Sequence, residues 1–256
     1  MSKYDVDPDA VGEDFAEQTL RLIELHEDIR EAARPHVFNL RSAIINSQAG
    51  TIRPQQTLGE FLSGSKKISF KSKEGPIRHN AEVEFSDRKP VVQLKKAHLH
   101  FQEADVQDRI WGAEVQVDFD KKSQPKTIQL SWAHSSEDLL KNLHPTVGTF
   151  IEAHCEGGYL HKKSDHTTIE LAFGELPSVV IRQHKPRTIY GGEDLDFTSQ
   201  FIFDPKTNQF VREPFVNARE KDHYVWAYKE NATNPISVEE YLGLVDTSLG
   251  LFPRAE

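Results

Sequence analysis

His98, His100 and, five residues on, Asp105 are the side chains whose types and spacing best fit chemistry. Neutral imidazole and carboxylate suit a divalent metal ion such as zinc, iron, manganese or nickel. His98, His100 and Asp105, with His134 as a further donor, therefore form the candidate metal set. In an extended backbone alternate side chains share a face, which puts both imidazoles on one side and Ala97, Leu99 and Phe101 on the other. Gly112 closes the set. The polar face of a solvated strand accounts for the same pair in a chain with 12 histidines.

The order His-x-His, four residues, acid, six residues, glycine is similar to the first motif of metal-binding cupins. The likeness spans the 15 residues from His98 to Gly112, with Val92 where that motif has an earlier glycine and Asp105 where it has a glutamate. It implies a metal-dependent enzyme with its site in a β-barrel mouth, His134, His144 or His154 supplying the remaining ligand. The pair also resembles the His-hydrophobic-His motif of single-strand nicking endonucleases. That motif needs a tyrosine on a nearby helix, and Tyr224 and Tyr228 fall in a stretch of strand composition.

Other constellations read more simply. Asp87 with Lys89, or Asp118 and Asp120 with Lys121 and Lys122, place acid and lysine at strand ends as metal-dependent nucleases do, with Glu82, Glu84 or Glu114 as the further acid; ordinary turn chemistry accounts for them equally. Cys155 beside His154 could be a thiol nucleophile only with a partner such as His161 or His166, and otherwise fills apolar space. Glu193, Asp194 and Asp196 lack the ligand spacing of a calcium loop.

The elements that position these residues follow from periodicity. Phe15, Thr19, Leu22, Ile23, His26, Ile29 and Ala33 recur at helical steps, predicting an amphipathic helix that ends at Arg34 because Pro35 opens a new one, carried by Val37, Leu40, Ala43 and Ile44. Thr57 and Glu60 form a capping-box pattern ahead of a short helix stopped by Gly64. From Lys66 onward strands alternate: Ile68 and Phe70, then Ala81, Val83 and Phe85, the His98 strand, and Trp111 to Phe119 with Glu114, Gln116 and Asp118 on the polar side. If the His98 strand and the Glu114 strand pair antiparallel, their polar rows share one surface. Thr127 to Trp132, Thr168 to Phe173, Ser178 to Gln183 and Phe197 to Phe203 continue the pattern, interrupted by helix at 135–156. Ser237 and Glu240 form a last capping box, for a helix over 237–248.

These elements predict an α+β fold. A helical N-terminal segment, 1–64, packs on a β-rich main domain, 65–256, built as a largely antiparallel sandwich or barrel with one helical insertion and a C-terminal helix. A net charge of −9 argues against broad nucleic-acid binding, which rests on clustered Lys and Arg. No apolar run approaches the roughly 18 residues of a membrane span, and the first residues are acidic rather than a signal peptide. A single cysteine fits a reducing compartment, and the expected location is cytoplasmic. With no phosphate loop and no nucleophile elbow, the expected function is a non-enzymatic binding or assembly protein, with a protein partner or self-association. A metal-dependent enzyme, cupin-like or less directly a nuclease, is the alternative.

Overall fold

The computed structural model describes residues 8–49, 65–74, 77–88, 91–103, 112–133, 144–155, 166–185, 195–213 and 234–252. Within them lie helices α1 (Pro8–Ala49), α2 (Pro145–His154) and α3 (Val238–Gly250). The strands are β1 (Ser65–Glu74), β2 (Ile77–Arg88), β3 (Val91–Glu103), β4 (Ala113–Phe119), β5 (Pro125–Ala133), β6 (His166–Ala172), β7 (Ser178–Lys185), β8 (Leu195–Asp204), β9 (Gln209–Arg212) and β10 (Ile236–Ser237). All ten form one antiparallel sheet in sequential order, and among the described residues β1 does not pair with β10 to close it.

Period-two alternation gives the sheet its inner face. Ile68, Val83, Ala97, Val117, Ile128, Leu171, Val179 and Phe201 stand opposite one another in register, one from each of the first eight strands, and all are buried. The register slips once between β2 and β3, at Glu84/Phe85, so that Leu94 and Ala97 both turn inward with Lys95 and Lys96 between them.

Leu25, Ile29, Ala33, Val37, Leu40 and Ile44 of α1 belong to the same core as these rows. The helix runs past successive hairpins: Arg21 donates to the carbonyls of Pro205 and Lys206, the His26 ring meets the Glu175 carbonyl, and Arg41 donates to the Lys122 carbonyl. The expected break at Arg34 is corrected here, since α1 continues through Pro35. Proline in a helix interior removes one hydrogen bond and costs about 3 kcal/mol. Buried Ala33 and Val37 on either side hold the helix to the sheet across that point, so packing overrides the local rule.

The turns use their expected chemistry. Asp120 Oδ1 accepts from the N–H groups of Lys122 and Gln124, and Ser123, at φ 60°, accepts from the Leu94 N–H through its buried hydroxyl. Ser237 and Glu240 form the capping box at the start of α3. That helix lies beside α1, with His36 Nε2 2.8 Å from Asp246 Oδ1, while Tyr241 stacks on Phe210 and donates to the Ala172 carbonyl. Burial pushes the Tyr241 hydroxyl well above its ordinary pKa. Of the expected helical insertion at 135–156, the structure describes α2. The capping-box pattern at Thr57 lies outside the described residues.

Candidate functional site

β3 is extended through His98 and His100, and its alternation is as expected: Ala97, Leu99 and Phe101 are fully buried while both imidazoles stand on the outer face. Register sets their neighbours. His98 lies between Glu82 of β2 and Gln116 of β4, and His100 between Asn80 and Glu114. The polar rows of β3 and β4 thus share one surface.

Glu114 joins the two rings. Its Oε1 is 3.1 Å from His100 Nδ1 and its Oε2 is 3.4 Å from His98 Nε2. Hydrogen bonds from His100 and then His98 outweigh burial and hold the Glu114 carboxyl far below the usual carboxylate range. The His98 pKa is raised, first by its hydrogen bond to Glu114, against burial, and further by the charges of Glu114 and Glu82.

Gly112 has a steric role at this site. A Cβ placed on it would fall 2.6 Å from His100 Cε1 and 2.7 Å from the Phe101 carbonyl oxygen. The His100 ring occupies space that only glycine leaves open.

The cluster belongs to a wider pattern in which charge alternates by strand. Glu82 and Glu84 on β2 face Lys95, Lys96, His98 and His100 on β3, which face Glu114 and Asp118 on β4. Lys95 reaches Glu84 at 3.8 Å and Lys96 reaches Asp118 at 3.4 Å. Opposite charges directly across strands favour pairing, and each contributes a few tenths of a kcal/mol up to about 1. The arrangement is suited to clipping β3 to its neighbours, with a proton-dependent grip supplied by histidine where lysine would be permanently charged.

The remaining candidates fall elsewhere. Asp105 and His134 lie outside the described residues, as do Tyr224, Tyr228, His161, Glu193 and Asp194. His144 caps α2, its Nδ1 accepting from the Thr146 N–H at 3.3 Å. His154 is buried against Phe150, with Nε2 3.1 Å from Glu240 Oε1 of α3. Cys155 is the C-cap of α2. Arg182 pairs with Glu170 at 2.8 Å. Among the described residues no three His, Cys, Asp or Glu side chains gather as a metal-holding group.

The His154–Glu240 contact was missed from sequence. Glu240 was legible as the capping-box acid, but its second partner lies 86 residues away with no local pattern to announce it. A shallow groove of about 860 Å³ lies between Ala32 of α1, the β8–β9 turn and Leu242 of α3. No protein-family model, curated protein or solved structure matches the chain. Among the described residues no helix is long and apolar enough to cross a membrane.

Proposed function

We propose that this chain is a non-enzymatic binding or assembly protein that meets its protein partner through the outer face of α1. One observation carries the reading. Leu20, Ile23, Phe38 and Ile45 are 54%, 49%, 68% and 54% exposed. At 100° per residue they fall along one line, opposite the buried stripe of Leu25, Ile29, Ala33 and Leu40. Single exposed apolar side chains are ordinary on a protein surface, but a line of them on a helix already packed by its other face is a contact surface. In this reading the curled sheet serves as a barrel-like trough that presents the helix, in a cytoplasmic protein. Replacing Phe38 and Ile45 together with Asp, with the helix signal in circular dichroism unchanged, is expected to abolish stable association in the protein's own cells. An unaltered set of cross-linked contacts would remove the proposal.

The metal-dependent reading at His98 and His100 has less support, because Glu114 already engages both imidazoles. A stoichiometric divalent metal ion in purified protein, lost on His98→Ala/His100→Ala, would reinstate it.

A further inference from the structure

The outer line of α1 has an internal order that defines its occupant, and the inference rests on the contact surface proposed above. Charge is sorted along the helix. Between Pro8 and Glu31 there are eight acidic side chains and two arginines; between Ala32 and Ala49 there are two arginines and no acid. A helix macrodipole favours such sorting only within the terminal turns, whereas Glu24, Glu27 and Glu31 sit in the middle of the helix. The sorting therefore points outward, to a partner with the reverse order.

We infer that the partner is a second copy of this chain, its α1 laid antiparallel across the first about a twofold axis. Such an axis makes every contact occur twice. Set between Ala32 and Ala33, it brings Leu20 opposite Ile45 and Glu31 opposite Arg34, the acid-rich half against the half that holds no acid, with apolar contacts at both ends. Glu31 and Arg34 are well exposed and pair with each other along their own helix. A parallel arrangement would set acid against acid. The overlap from residue 20 to residue 45 is about 39 Å of helix. A single helix pair lies at the small end of specific interfaces, so the dimer dissociates in the range of about 1 to 100 µM.

Sedimentation velocity of the full chain at low salt, from about 1 to 200 µM, reads this directly. A concentration-dependent dimer is expected. Phe38→Asp should weaken it at least about tenfold. Glu31→Arg should weaken it several-fold, and adding Arg34→Glu should restore it to within about twofold of the original, because the facing pair is then merely exchanged. Circular dichroism confirms that each variant keeps its helix. A chain that stays monomeric throughout, or a dimer indifferent to Phe38→Asp and to charge reversal, overturns the inference. If a monomeric chain loses a different co-isolated protein on Phe38→Asp, the second copy is refuted while the contact surface stands; if it loses nothing, both fall.

Discussion

Two histidine–glutamate contacts of equal length, 3.1 Å, occupy opposite environments in this molecule. His100 with Glu114 lies on the solvated face of the sheet, sharing its carboxylate with His98. His154 with Glu240 joins α2 to α3, the imidazole 3% exposed and set between Phe150 and Phe201. The same chemistry does different physical work. On the surface each partner could return to water at small cost, so the contact chiefly tunes register and its dependence on pH. In the interior the ring is also a packing unit, and Glu240 already accepts from the Ser237 N–H and hydroxyl, so three elements of structure meet in one carboxylate. Burial pushes the Glu240 carboxyl up, but the bonds from Ser237 and His154 prevail and its pKa is lowered.

Removing each ring tests the contrast, and the buried one gives the largest effect. His154→Ala deletes an aromatic packed between two phenylalanines together with a part-buried hydrogen bond, and is expected to cost on the order of 3 kcal/mol in urea unfolding. A loss under about 1 kcal/mol would show that the His154 ring adds little to the packing between Phe150 and Phe201. Gly112→Ala comes next. The Phe101 carbonyl at 2.7 Å is backbone and cannot swing away, so overpacking of about 1 to 3 kcal/mol is expected. In the His100→Ala background the clash with the ring disappears and the clash with the carbonyl remains. The penalty of Gly112→Ala should then shrink without vanishing, and a double-mutant cycle with no coupling would refute the seating of His100 over Gly112.

The contrast also separates what local sequence could reveal from what it could not. Strand alternation is a short-range code, so the sharing of a face by His98 and His100 was legible from four residues, and pairing of adjacent strands brought Glu114 to the same surface. The Ser237–Glu240 cap was legible for the same reason. β9 and β10, of four and two residues, carry too little pattern to be read. The error at Pro35 has the opposite origin: the local signal was clear, and contacts between α1 and a sheet formed later in the chain overrode it. His154 with Glu240 had no local signal, because both residues already had simpler readings, a helix-end histidine and a capping acid.

The smallest expected effect is the most specific to the exposed site. His98→Gln removes a half-exposed imidazole and should change stability by less than about 0.5 kcal/mol at neutral pH. Its pH dependence has a definite sign. The folded His98 pKa is raised above 6.5, so its contribution is complete below that value and is lost as pH rises through the folded pKa. Glu114 is lowered from 4.5, so its contribution is complete above that value and is lost as pH falls toward the folded pKa. Both are complete together between about pH 4.5 and 6.5. The difference in urea midpoint between the natural chain and His98→Gln should therefore be largest near pH 5.5 and shrink on the alkaline side. The same series on Lys96→Gln should show no such decline across pH 6 to 8, since lysine stays charged there. A flat His98 profile would mean that the imidazole makes no proton-dependent contact with Glu114 in solution, and the charge alternation across β2, β3 and β4 would then rest on the lysines alone.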